Sequence, residues 1–324
     1  SNDVEALNAA VAAIDNGTIQ VNAGTYTVSS QVPLKSGIGM IGDDAVMKGY
    51  SIFLISGTTD VSITGFTFSN PDQSYLVREG STGLVEIENS ENCLIENNTF
   101  SNFRDYGIDL ETPTTSSYNK DITIKNNDFL DYGYAGVMIG KQASNVYVEN
   151  NMFKDINTRK LNGISYGVAV APGSSTYQYS EYIYIRNNTI ENNPVWEGID
   201  SLGANYLFIE DNNITDCRIP ISVAQINLDG KYPVPVHDVT IKGNYLKGNF
   251  SAEKQDSGIY VLGGRNSART VVQPYIRANI SDNTIVDVNN WLISDDGAIV
   301  LRHVKYAVVK NNDISGTGGT GINL

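Results

Sequence analysis

The chain has 324 residues, 41% of them hydrophobic and 18% charged; this supplies a large buried core but exceeds one ordinary compact domain, and so points to repeats. Its net charge is −14, and Lys and Arg form no run or face that could track a phosphate backbone, so no nucleic-acid partner is expected. No apolar run approaches the ~20 residues that a membrane helix needs, and no signal peptide precedes Ser1, so the chain reads as a mature form without membrane insertion.

The first predicted element is a helix in "DVEALNAAVAAIDNG", with Asp3 as cap, Val4, Leu7, Val11 and Ile14 on one face, and Gly17 just past its end. Residues 1–17 are expected to plug the open end of whatever follows and to shield an exposed sheet edge. Beyond it the 30 glycines, 19 tyrosines and abundant Asn favour turns and strands. Cys93 and Cys217 show neither metal-ligand nor CxxC spacing and read as two separate buried small hydrophobes.

A repeat then runs along the chain. Aligned on the apolar residue before the asparagines, it starts at Ile63, Ile95, Ile124, Val148, Ile185, Ile209, Ile241, Ile280 and Val309, with spacings of 32, 29, 24, 37, 24, 32, 39 and 29 residues. A floor of 24 with additions describes a constant rung carrying loop insertions. A second short alternating run follows each copy, as in "YGIDLE", "YAGVMI", "YGVAVA" and "WEGIDS". Alternation points Ile108, Val137, Val168, Ile199, Ile221 and Ile259 inward, and Asp109, Met138, Ala169, Asp200, Ser222 and Tyr260 outward. Stacked parallel rungs would align the Asn-Asn steps into a ladder, since Asn tolerates left-handed backbone and its amide can bond the next copy. On that reading Asn97 and Asn187, although they open N-x-T sequons, face inward and accept no glycan.

The stretch "IQVNAGTYTVSSQVPLKSGIGMIGDD" (19–44) and the NN/GI rhythm after it resemble the right-handed parallel β-helix proteins of the pectate-lyase-like superfamily, over nearly the whole chain. The resemblance implies an all-β, single-stranded right-handed parallel β-helix of about eleven rungs, forming one domain over 1–324, with 1–17 as helical cap and 18–324 as rungs. Because that superfamily holds polysaccharide lyases, glycoside hydrolases, uronate epimerases, tailspikes and adhesins, it also implies an extracellular or cell-surface protein with a polysaccharide partner. No second cap is evident before Leu324, so a homo-oligomer or a further domain after residue 324 is expected.

Insertions at 154–166, 173–181, 226–237, 247–257, 264–278 and 286–296 flank the second strand, whose outer face would be the floor of a walled groove suited to an extended polymer. Along that floor are expected Asp105, Asp109, Glu111, Tyr134, Lys141, Tyr166, Trp196, Glu197, Asp200, Arg218, Asp256, Tyr260, Arg265, Asp295, Asp296, Arg302 and His303. Aromatic faces stack on sugars, and carboxylates bind hydroxyls, bind Ca²⁺ or carry protons; Ca²⁺ is a candidate ligand and no other cofactor is expected.

The sharpest cluster is "WEGID" (196–200), with Tyr166 one rung before and Arg218 one rung after. Carboxylates three residues apart across a bend could stand roughly 6 to 9 Å apart, which suits an acid and base of an inverting glycosidase; solvated surface acids are the alternative. Glu197 and Asp200 are the expected acid and base, with Tyr166, Trp196 and Arg218 positioning the sugar. Asp109, Glu111, Tyr134, Tyr260, Arg265, Asp296 and Arg302 are expected substrate-binding residues, Asp109 with Glu111 lying roughly 14 Å from the pair. A rival site is "SDDGAIVLRHVKYAVVKNNDI" (294–314), whose LRH step resembles the catalytic-Arg strand of chondroitinase-B-like and alginate lyases and would make Arg302 the assisting cation. The neighbouring "SGIYVLGG" lacks the Lys those lyases use, and the Gly-His-Gly strand of polygalacturonases is missing. Two histidines, His237 and His303, exclude a three-His metal site. Glycoside hydrolase is the leading expectation; a uronate lyase or epimerase, with an Arg neutralising the carboxylate and a Tyr or Lys taking the proton, and a non-catalytic binding module are the alternatives.

Overall fold

The computed structural model describes residues 3–70, 83–156, 164–173, 177–225, 236–248, 256–265, 271–273, 275–288 and 297–324. After the helix Asp3–Ala13, short strands coil into one 29-stranded sheet in which each strand pairs in parallel with its equivalent one rung on. A typical rung holds three strands, such as Asn119–Lys125, Asp128–Tyr132 and Ala135–Ile139. Register can be followed through one outward column: Pro33, Leu54, Glu86, Asp109, Met138, Ala169, Asp200, Ser222, Tyr260, Val300 and Asn323. Those eleven positions are the eleven rungs that the repeat implies.

Inside the coil the stacking is of like on like. Phe68, Phe100, Phe129 and Phe153 form a column with successive ring centroids 4.9, 4.8 and 4.8 Å apart, the spacing of the parallel strands themselves. The six residues expected to point inward, Ile108 through Ile259, are all fully buried. Val4, Leu7 and Val11 of the helix join the same core, while Ile14 packs on it just past the helix end. Asp3 opens the helix, and its carboxylate accepts a 2.6 Å hydrogen bond from the Thr27 amide in the strand Gly24–Val28. It therefore ties the cap to the first rungs.

The Asn-Asn step divides its labour. The first position turns the corner in left-handed conformation, with φ of 54° at Asn97, 55° at Asn126, 56° at Asn150 and 54° at Asn187. The second position is the buried ladder: the Asn98 amide donates to Asn127 Oδ1 at 3.0 Å, and the bond repeats through Asn151, Asn188, Asn212, Asn244, Asn283 and Asn312. Each ladder oxygen also accepts a backbone N–H from the rung before, Asn98 Oδ1 from Phe66 and the later ones from the preceding Asn, as Asn212 Oδ1 does from Asn188 at 3.0 Å. The inward assignment of Asn97 and Asn187 is thus corrected, because both are exposed and it is Asn98 and Asn188 that face the interior. A one-residue offset at a corner swaps the two environments.

Gly opens the second run for want of space. A Cβ on Gly107, Gly136 or Gly198 would stand 2.8, 2.4 and 2.8 Å from Phe129, Phe153 and Ile214. The chain therefore bends inward at Gly, and the residues flanking the bend can both reach the outer side. Cys93 and Cys217 are separate, buried and unpaired, with burial pushing both thiols up to about 12.

Candidate active site

The strand Thr189–Ser201 carries WEGID, and its pairing shifts register between Asn193 and Glu197 as it turns the corner. Tyr166 and Ala169 on the preceding rung lie beside Glu197 and Asp200, and Ser222 on the next rung lies beside Asp200. The bend at Gly198 turns both carboxyls to the same side, and Ser222 lies near the two of them. The expectation that these outward positions form an open floor is corrected: Glu197 is 8%, Asp200 2% and Ser222 4% exposed. Beside them a second apolar cluster, outside the coil, packs Tyr166, Ala135 and Ala169 against Tyr106, Tyr134, Met138, Ile164 and Trp196.

Burial sets the electrostatics. Glu197 is pushed up to about 7, chiefly by desolvation, against hydrogen bonds from Ser222 and the Trp196 indole and the nearby Arg218 charge. Asp200 is raised well above the ordinary carboxylate range by desolvation and then by Glu197, and its Oδ1 has no hydrogen-bond partner. Burial and the charge of the neighbouring carboxyl both disfavour ionising the two together. Desolvation and the charges of Asp200 and Glu197 also push the Tyr166 phenol up, so it remains neutral, with its oxygen towards the Trp196 indole N–H, which can only donate.

Arg218 lies 5.1 Å from the Trp196 ring centroid and binds Asp256 Oδ2 through Nη2 at 2.7 Å and Nε at 2.9 Å. Its positive charge is thus already matched by a carboxylate. From Trp196 an aromatic strip continues along the axis: Tyr166 meets Tyr134 edge-on at 5.6 Å, and Tyr134 meets Tyr106 at 5.5 Å.

That strip ends at a second acidic group, three rungs from Asp200 through the register Asp109, Met138, Ala169, Asp200. Asp109 pairs with Glu86 and Glu111 with Glu88. Asp109, expected as an open subsite residue, is instead 1% exposed; desolvation and the neighbouring Glu111 and Glu86 hold it well above its ordinary range, and its Oδ2 has no partner. Glu111 is exposed. Glu86, which the sequence reading missed, is 6% exposed and accepts a hydrogen bond from Gln31. The signal was present in "GLVEIE", a Gly-opened alternating run like the others, but it sits before the first Asn-Asn step.

Elsewhere the candidates disperse. Lys141 sits 4.5 Å over the Tyr177 ring, and Asp105 accepts from the Tyr50 hydroxyl at 3.4 Å. Tyr260 and Arg302 are neighbours, 5.8 Å from guanidinium to ring, two and three rungs beyond Asp200. Asp295, Asp296 and the Arg265 side chain lie outside the described residues, as do most of the insertions expected to wall the groove. Among the described residues no group of His, Cys, Asp or Glu is arranged to hold a metal ion, and no helix is long and apolar enough to cross a membrane.

With fold and site in view, comparison with known proteins gives the class. Residues 4–180 match the family described as the right-handed beta helix region, and the chain belongs to that family. Similar solved structures include PfbA, a surface adhesin of Streptococcus pneumoniae (18% identity, TM-score 0.75, covering 98% of this chain and 86% of that one). A Yersinia enterocolitica family 28 exopolygalacturonase is also similar (12%, 0.61, 99% and 76%), as is the tailspike of E. coli bacteriophage HK620 bound to a pentasaccharide (15%, 0.66, 96% and 62%). At such identities the likeness is one of fold. No curated protein matches the sequence.

Proposed function

We propose that this protein is an extracellular polysaccharide-degrading enzyme, a glycoside hydrolase with Glu197 and Asp200 as acid and base. The observation that carries the reading is two carboxyls on the outside of the coil, both buried and both raised, flanking one bend beside Ser222. A solvated surface pair would be open, with carboxyls in their ordinary range. A carboxyl that titrates near 7 holds a proton for a leaving glycosidic oxygen at neutral pH, while its partner draws one from water. Tyr106, Tyr134, Tyr166 and Trp196 offer a sugar-stacking strip leading away from the pair. Its direction suits a glycan lying along the coil axis, with the exposed Glu111 at a distant subsite. Tyr260, Arg302, Arg265 and Asp296 are proposed to bind substrate on the other side.

A uronate lyase is less well supported. Arg218 is engaged by Asp256, and the Tyr166 phenol is driven away from the ionised form that would take a proton. A non-catalytic binding module is a second reading, favoured by the burial of Asp200 and by the resemblance of the coil to the PfbA adhesin over 98% of this chain.

The test is a panel of acidic and neutral polysaccharides incubated with the protein, Glu197→Gln and Asp200→Asn, following reducing ends and ultraviolet absorbance together. New reducing ends without absorbance, lost in both variants, support the hydrolase. Absorbance from an unsaturated product would make it a lyase, and binding without cleavage a binding module.

A further inference from the structure

The acidic group at the far end of the aromatic strip is a two-by-two block of carboxyls. Glu86 and Glu88 face outward from the strand Gly83–Glu88, and Asp109 and Glu111 from Tyr106–Glu111. Register sets Glu86 beside Asp109 and Glu88 beside Glu111, on strands about 4.8 Å apart. The inner pair is dry, with Glu86 6% and Asp109 1% exposed, while Glu88 is half-buried and Glu111 exposed. What binds the block is neutral: Gln31 donates to Glu86, the Ser56 hydroxyl to Glu88 at 2.9 Å, and the Thr112 amide to Glu111 at 3.1 Å. Asp109 Oδ2 is buried with no partner at all. Among the described residues no Lys or Arg forms an ion pair with any of the four, whereas Arg218 matches Asp256 and Arg277 matches Asp238.

Buried acids are ordinarily held by a counter-ion or a full set of donors. This block has neither, and so its field selects a cation from outside. A calcium ion asks for a shell of about six to eight oxygens, and no group of acids among the described residues is arranged to hold a metal. An ammonium asks only for acceptors on one side, and it is attracted to an aromatic face. Tyr106 supplies that face: it and Asp109 flank Gly107 as Glu197 and Asp200 flank Gly198, because Tyr106, Ala135, Tyr166 and Glu197 occupy one register column. We propose that the block is a subsite for the primary ammonium of an unacetylated amino sugar, held by Glu88 and Glu111 with the sugar ring against Tyr106. Glu86 and Asp109 lie behind the outer pair and add negative potential where water screens little. The subsite stands three rungs, roughly 14 Å, from Asp200 along the strip; it rests on the hydrolase reading for the bond that is cut, and its charge opposes a uronate in the same place.

The experiment is titration calorimetry at about pH 6, where an amine is protonated and an open carboxyl ionised. The probes are a glucosamine tetramer, its fully N-acetylated counterpart and spermidine. The parent should bind the amino tetramer about tenfold tighter than the acetylated one, and added salt should shrink that preference. Asp109→Asn and Glu111→Gln should each remove most of it, and Glu197→Gln should keep it. Because Glu111 is exposed, its variant tests the subsite without disturbing the packed layer. Equal affinity for the two tetramers, or a preference undiminished in both Asp109→Asn and Glu111→Gln, would overturn the subsite. Spermidine bound as tightly as the amino tetramer and unmoved by Tyr106→Ala would also overturn it, in favour of a polyamine site. If the amino tetramer binds through the block and the parent cleaves no glycan, the hydrolase reading falls and the subsite stands. If the parent cleaves both tetramers equally well and Glu197→Gln cleaves neither, the hydrolase reading stands and the subsite falls.

Discussion

Replacing Glu197 by Gln should stabilise the protein at neutral pH while abolishing cleavage. Glu197 titrates at about 7 in the fold against an ordinary value of 4.5, so the folded state binds its proton more tightly than the unfolded chain. A raised acid of this kind costs nothing below pH 4.5, costs progressively more as pH rises towards 7, and then costs a constant amount. At about 1.4 kcal/mol per pH unit the full cost is about 3 kcal/mol, a sizeable part of a typical domain's stability. Gln keeps the shape and the capacity to accept from Ser222 or Trp196, and it does not titrate. The assay is urea unfolding of both proteins at pH 4.5 and pH 8. The variant's stability relative to the parent should rise by about 3 kcal/mol between those two pH values, with Asp200→Asn showing the same sign. An equal pH dependence in parent and variant would refute the claim that burial of Glu197 is what raises it.

Asn188→Ala should remove the acceptor of the Asn151 amides and the donor to Val148 O and Asn212 Oδ1; with several buried groups orphaned, a loss of about 2–5 kcal/mol is expected in denaturant melts. Gly198→Ala, whose new methyl would meet Ile214 and the Pro220 carbonyl at 2.8 Å, should cost about 1–3 kcal/mol by overpacking and misplace the acid pair, seen as a fall in both Tm and kcat. Tyr134→Ala should weaken glycan binding and raise KM with kcat nearly unchanged, because it stands along the strip rather than at the pair; titration calorimetry on an oligosaccharide checks this.

Much of the coil was legible because a solenoid repeats its instructions. The asparagine steps, the Gly-opened runs and the inward Ile and Val positions marked rungs, corners and core. Which Asn of each pair faces the interior was not legible, since a corner breaks alternation and one residue of offset exchanges ladder for solvent, as Asn97 and Asn98 show. WEGID drew attention as two acids around a Gly, but their burial comes with stacking against other rungs, where Tyr166 and Ala169 lie beside them. Alternation placed Ser222 on the outer face, but its position beside Asp200 exists only through the register between rungs. Glu86 and Asp109 were separated by the same cause, their pairing fixed by stacking and not by sequence spacing.

The most direct measurement is a crystal structure of Asp200→Asn with an oligosaccharide drawn from whichever polysaccharide the parent binds. The account predicts sugar rings along Tyr134, Tyr166 and Trp196, with a glycosidic oxygen within hydrogen-bonding reach of Glu197. Sugar bound on another face of the coil, or passing the strip with no bond near Glu197, would contradict it.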